Sequence, residues 1–204
     1  MAKIKFCGLS QVQDIEYANK CLPDYIGFVF AKSKRNVTPQ DAITLRKRLS
    51  PSIQAVGVFV NADINKITTI ADSNTIDLIQ LHGNEDLEYI QSLKSKTKLP
   101  IIKAIQVQTT ADILTASVLP VDYILLDTYS KGQYGGIGKQ FDWSLIPKLS
   151  IPFFLAGGIN CNNISQALKT HAFCLDCSSS LEANGHKDYK RMLEIKHKID
   201  EYNI

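Results

Sequence analysis

No apolar run in the chain approaches the roughly 18 residues that a membrane-spanning helix needs, so no membrane partner is expected. The N-terminus, Met1-Ala2-Lys3-Ile4-Lys5-Phe6-Cys7, has no long apolar stretch of the secretory kind, and a cytoplasmic location is expected. Cysteines are few and odd in number: Cys7, Cys21, Cys161, Cys174 and Cys177. In a reducing compartment that argues against a disulfide framework. Neither sign of charge dominates, since 23 Lys and Arg against 20 Asp and Glu give +3, spread along 204 residues. A nucleic-acid binder concentrates its basic residues on one face, so no nucleic acid partner is expected. Local clusters such as Arg46-Lys47-Arg48 read as solvated helix faces. Linkers and low-complexity tracts are missing as well.

What is present is an apolar share of 45%, enough to build a core. Short runs rich in Ile, Val, Phe, Leu or Tyr read as buried parallel strands. They are Ile4–Cys7, Tyr25–Phe30, Gln54–Val60, Asp77–Leu81, Ile101–Ile105, Tyr123–Asp127, Phe153–Ala156 and Ala172–Asp176. Helical stretches alternate with them near Val12–Lys20, Pro39–Leu49, Ile64–Ser73, Leu87–Ser95, Ala111–Ser117, Leu145–Lys148 and Ile164–Leu168. Lys187–Tyr202 closes the chain. Thr38-Pro39 with Asp41 is a helix start, with a capping hydroxyl, a proline at the first helical position and an early acidic residue. Strict alternation means a parallel sheet covered by helices, and eight repeats suggest one α/β domain over residues 1–204, a (β/α)8 TIM barrel. An open doubly wound sheet is the competing arrangement.

Such a barrel carries its active site where the strands end and the βα loops gather. Polar and reactive groups recur at those positions. Gly157-Gly158 and Ser178-Ser179-Ser180 follow the seventh and eighth strands, where barrels commonly bind phosphate through backbone N–H groups. Read singly, they are also a tight turn and a set of caps. Cys7 ends the first strand, with Lys5 on the same face by the period of two. A lone strand cysteine is usually a small buried hydrophobe; beside an ammonium it becomes a candidate base through its thiolate. Asp127 ends the sixth strand, and a desolvated carboxyl group there can stay protonated and act as an acid. Arg35, in Ser33-Lys34-Arg35, is either a solvated loop residue or a bidentate clamp for a carboxylate.

Two further patterns invite chemistry. The glycine-rich stretch Lys131–Asp142 fails the P-loop spacing at Gln133 and Gln140 and reads instead as a mobile lid. Cys174 and Cys177 are spaced as a Cys-x-x-Cys pair, but three residues along a strand their sulfurs point to opposite faces. No second pair and no histidine spacing completes a metal site, so no metal is expected.

Taken in order, the strand ends resemble the phosphoribosylanthranilate isomerase family. The matching segments are Lys5-Phe6-Cys7-Gly8-Leu9, Gly27–Phe30, Ser33–Arg35, Val56–Phe59, Gln80-Leu81-His82-Gly83 with Glu85, and Leu126-Asp127. Gly135-Gly136, Gly138, Phe141–Trp143 and Leu155–Ile159 follow, then Asp176, Ser178-Ser179, Glu182, Gly185 and Lys187-Asp188. The resemblance implies an Amadori rearrangement of a phosphorylated aminosugar, a small-molecule substrate, in tryptophan biosynthesis. It gives Asp127 the role of general acid at the ribose ring oxygen and Cys7 that of general base at C2. It gives Arg35 the anthranilate carboxylate, and Gly157, Gly158 and Ser178 to Ser180 the phosphate. His82 and Asp176 would line the pocket. Proton transfers suffice, so no cofactor is implied, and monomer and homodimer stay open. Two positions depart from the family pattern. Ser180 stands where glycine is usual, which would rearrange a glycine-dependent phosphate loop, and Ile137 stands where threonine is usual in the lid. The alternatives are a histidine-pathway type of sugar-phosphate isomerase, which uses an aspartate base, and a non-catalytic barrel that only binds a phosphometabolite.

Overall fold

The computed structural model describes residues 1–129 and 140–203. Parallel strands β1 (Lys3–Cys7), β2 (Tyr25–Val29), β3 (Gln54–Phe59), β4 (Leu78–Leu81), β5 (Ile101–Val107), β6 (Tyr123–Thr128), β7 (Phe153–Leu155) and β8 (Cys174–Cys177) form a closed barrel in chain order. The open-sheet alternative is therefore excluded. Helices α1 (Val12–Cys21), α2 (Pro39–Arg46), α3 (Ile64–Asp72), α4 (Leu87–Lys96) and α5 (Thr110–Ser117) follow the first five strands. Helix α6 (Ile164–Leu168) follows β7, and α7 (Tyr189–Asn203) closes the chain.

Local chemistry explains the helix starts. At α2 the Asp41 N–H donates to Thr38 Oγ1 at 3.1 Å and the Thr38 N–H donates to Asp41 Oδ2 at 3.3 Å, with Pro39 in the first turn. Each partner satisfies a backbone group that the helix itself leaves open. Asp63 and Asp86 cap α3 and α4 more simply, each side chain accepting one backbone N–H, from Asn65 and Tyr89 respectively.

The expected helix at Leu145–Lys148 does not form. A single 3-10 turn, Trp143–Leu145, stands there, capped by Asp142, whose side chain accepts from the Ser144 N–H. Pro147 disfavours helical backbone in the residue before it, and Ile146 is extended at φ −77°, ψ 110°. A two-stranded hairpin, β9 (Glu182–Ala183) with β10 (His186–Lys187), was not expected. Its turn is Asn184-Gly185, both with positive φ, the pattern that matches strand twist in a two-residue hairpin.

The period of two along each strand sorts side chains into two apolar layers. Ile4, Phe6, Ile26, Phe28, Ile79 and Leu175 point outward and pack under the helices. Tyr25, Val56, Leu78, Ile102, Leu125, Phe154 and Cys174 fill the barrel's interior. Burying each large apolar side chain is worth about 1.5–3 kcal/mol. Among the described residues no helix is long and apolar enough to cross a membrane.

Candidate active site

Above the apolar floor, the same alternation brings polar residues into the lumen. Two residues beyond Leu78 on β4 comes Gln80, and two beyond that His82. Asp127 follows Leu125 on β6, and Asp176 and Ser178 follow Cys174 on β8. On β1, Lys5 and Cys7 occupy the equivalent steps. At the C-terminal mouth these residues open onto a cavity of about 830 Å³. Cys7, Arg35, His82, Asp127 and Asp176 all line it, as do Gly157, Gly158, Ser178, Ser179 and Ser180. Residues far apart in the chain thus converge on one space.

At its base lies a buried ion pair. Lys5 and Asp176 are register partners on adjacent strands, and Lys5 Nζ donates to Asp176 Oδ2 at 2.8 Å and to Gln80 Oε1 at 2.8 Å. Burial works against the Lys5 ammonium, but Asp176 and Cys7 outweigh it and its pKa is raised. Burial likewise pushes the Asp176 carboxyl up, while Lys5 pulls it back.

Cys7 is buried at the end of β1, with Gly27 on β2 leaving room for its sulfur: a Cβ on Gly27 would stand 2.7 Å from Cys7 Sγ. Burial raises the thiol pKa; Lys5 and Lys187 pull it down, and Asp176 adds to the rise. The expected help from the neighbouring ammonium is therefore real but outweighed, and the resting form at neutral pH is the thiol.

Asp127 Oδ1 accepts the Thr128 N–H at 2.8 Å, and Oδ2 lies 3.3 Å from His82 Nε2. Gly157 makes room for this arrangement. Its φ is +84°, and a Cβ there would sit 2.3 Å from Thr128 Oγ1 and 3.3 Å from Asp127 Oδ1. Only glycine combines that backbone with that approach.

Arg35 is not a solvated loop residue. Its side chain is 14% exposed, lies over Gly8, and donates through Nε to Glu182 Oε1. Glu182 also accepts from Lys34 at 3.0 Å and from Lys187 at 3.1 Å. Burial would raise the Glu182 pKa, but Arg35 and the two lysines hold it at about 2. Lys187 reaches on to the Ser178 carbonyl at 3.0 Å, and the Ser178 hydroxyl donates to the Cys7 carbonyl at 3.2 Å. The β9–β10 hairpin thereby ties the ends of β8 and β1 to the loop after β2.

This clamp has a testable pH signature. A depressed carboxylate pKa contributes stability that is present above the ordinary value of 4.5 and lost as pH falls toward about 2. Glu182→Gln should cost about 1–2 kcal/mol at neutral pH after allowance for screening. In urea melts taken across that window, the gap to the wild type should close as pH falls. A gap independent of pH would contradict the ion-pair account.

The segment after β8 is a one-turn 3-10 helix, Ser179–Leu181. Ser180 is not among the residues with positive φ, so its backbone makes no demand for glycine. Cys174 lies in the lumen and Cys177 in the outer layer, and both are free thiols, as period-two spacing requires. Among the described residues no group of His, Cys, Asp and Glu could hold a metal ion. The glycine-rich part of the expected lid, Ile137 included, lies outside the described residues. Glu182, Lys187 and Gln80 were not singled out as working residues; the Asn184-Gly185 turn and the step of two from Gln80 to His82 are the signals that point to them.

A closed parallel barrel with a polar, ion-paired cavity at its C-terminal mouth has the build of the (β/α)8-barrel enzymes. The family model described as N-(5'phosphoribosyl)anthranilate (PRA) isomerase matches residues 4–198. The chain belongs to that family. A curated relative from Endomicrobium trichonymphae, named N-(5'-phosphoribosyl)anthranilate isomerase, is 46% identical over 95% of this chain and 96% of its own. The crystal structure of the phosphoribosyl anthranilate isomerase from Thermotoga maritima is similar with a TM-score of 0.87, at 32% identity, over 98% of this chain and 100% of that one. A phosphoribosyl anthranilate isomerase in complex with reduced 1-(o-carboxyphenylamino)-1-deoxyribulose 5-phosphate is similar with a TM-score of 0.83, at 31% identity, over the same shares of the two chains.

Proposed function

We propose that this chain catalyses the Amadori rearrangement of N-(5-phosphoribosyl)anthranilate to 1-(2-carboxyphenylamino)-1-deoxyribulose 5-phosphate, a step of tryptophan biosynthesis, by general acid–base catalysis. The observation that carries the reading is the placement of the Cys7 thiol and the Asp127 carboxyl on one mouth cavity of about 830 Å³, large enough for a phosphorylated aminosugar. Asp127 protonates the ribose ring oxygen, and the C1–O bond breaks to leave a protonated Schiff base. Cys7, as thiolate, removes the C2 proton and gives an enolamine. Ketonisation then places a proton on C1 and takes one from the C2 hydroxyl, which returns thiol and carboxyl to their starting forms. Lys5 and Lys187 favour the thiolate that the second step needs.

Arg35, oriented by Glu182, holds the anthranilate carboxylate. The loops at Gly157-Gly158 and Ser178–Ser180 hold the phosphate, with Lys187 supporting the second loop through the Ser178 carbonyl. His82 and Asp176 complete the wall. Every step is a proton transfer, so the scheme calls for no metal or organic cofactor.

Purified protein should consume phosphoribosylanthranilate generated in situ, in the presence of a chelator. The histidine-pathway aminoaldose, assayed in parallel, should turn over far more slowly, since that chemistry uses an aspartate base. Equal or preferential use of that substrate would overturn the assignment. Binding of the product analogue with no turnover would identify a sensor instead.

A further inference from the structure

The polar layer beneath the mouth contains a chain of hydrogen bonds with a direction built into it. Gln80 is 1% exposed and lies between Lys5 and His82. Lys5 Nζ stands 2.8 Å from Gln80 Oε1, and Gln80 Nε2 stands 2.7 Å from His82 Nδ1. An ammonium has three donors and no acceptor. Lys5 is fully buried and held as a cation by Asp176 at 2.8 Å. The amide must therefore turn its oxygen to Lys5, because the reverse orientation would set N–H groups against a buried cation. Its NH2 group then faces His82, and Nδ1 can only accept. A neutral imidazole that accepts at Nδ1 carries its proton on Nε2.

That Nε2 is buried, 3.3 Å from Asp127 Oδ2, and among the described residues it makes no well-aligned hydrogen bond. A buried donor without a partner is costly, and such groups gather where a ligand completes them. We infer that Lys5 and Gln80 lock His82 as the Nε2–H tautomer, so that His82 offers an N–H donor to the substrate oxygen that Asp127 protonates. His82 then shares the charge on that oxygen as the C1–O bond breaks. Gln80 is a positioning residue, acting through the ring it orients. The tautomer stands on the geometry alone; only its consequence for rate rests on the acid–base function proposed above.

The test reads the tautomer directly, without substrate. In 15N NMR spectra of the histidine-labelled protein at about pH 8, where ordinary imidazoles are neutral, the His82 signals are assigned by their loss in His82→Asn. The wild type should show a protonated Nε2 and an unprotonated Nδ1. Gln80→Glu places an acceptor against Nδ1 and should move the proton there. In that variant kcat should fall about tenfold to a hundredfold, with KM and binding of the product analogue changed little. A wild-type ring protonated at Nδ1 overturns the inference even if no variant folds. So does a Gln80→Glu protein whose ring keeps its tautomer, or one whose tautomer moves while kcat stays at the wild-type value. A wild type with the expected tautomer but no turnover would fault the proposed reaction and leave the lock standing.

Discussion

Cys7→Ala should lower kcat by about 10²–10⁴-fold while leaving affinity for the product analogue within a few-fold of wild type. The reasoning starts from the thiol's surroundings. It lies at the end of β1, on the cavity, within the field of Lys5 and Lys187. If its role were only to fill space, Cys7→Ser, which keeps nearly the same volume, would retain most activity. As a base it would not, because a hydroxyl is a far weaker acid than a thiol and supplies almost no anion. The pH dependence has a fixed sign. Burial raises the thiol pKa despite the two lysines, with Asp176 adding to the rise. Below that pKa the thiolate fraction grows about tenfold per pH unit, so alkylation of Cys7 by a small thiol reagent, followed by peptide mapping, should quicken across the neutral range rather than stay constant. Wild-type turnover in Cys7→Ser would remove the thiol from the mechanism.

Asp127→Asn should cost a comparable factor for a different reason. The amide keeps the size of the carboxyl group but has no proton to deliver to a departing oxygen, so ring opening becomes limiting. The backbone N–H of Thr128, which now donates to Oδ1 at 2.8 Å, can still donate to the amide oxygen, so the fold should hold. The variant should melt close to wild type and bind the product analogue, yet turn over about 10²–10⁴-fold more slowly. Retained activity in Asp127→Asn would assign the ring-opening proton to another group on the cavity.

Both residues were legible because a parallel barrel turns sequence position into spatial position. Each apolar run ends at the same rim, so Cys7, Asp127, Gly157 and Ser178 could be gathered on one mouth before any coordinates were known. The period of two placed Lys5 beneath Cys7 and separated Cys174 from Cys177. What could not be read was decided by contacts between distant segments. Gln80 owes its orientation to Lys5, 75 residues away, and Arg35 owes its own to Glu182, 147 residues away. No local pattern encodes either pairing. The balance at Cys7 was also out of reach, since proximity to Lys5 suggests a lowered pKa and only the depth of burial reverses the sign. The failed helix at Leu145–Lys148 was legible in principle, because Pro147 stands within it as a stop signal.

The most direct test of the account is a crystal structure of this chain with the reduced product analogue bound. The ligand should seat in the mouth cavity with C1 and C2 against Cys7 Sγ and the oxygen derived from the ribose ring within hydrogen-bond reach of the Asp127 carboxyl. Its phosphate should rest on the loops at Gly157-Gly158 and Ser178–Ser180, and its carboxylate on Arg35. A ligand bound with its C1–C2 bond out of reach of the thiol, or with the two side chains on separate parts of it, would contradict the shared acid–base site.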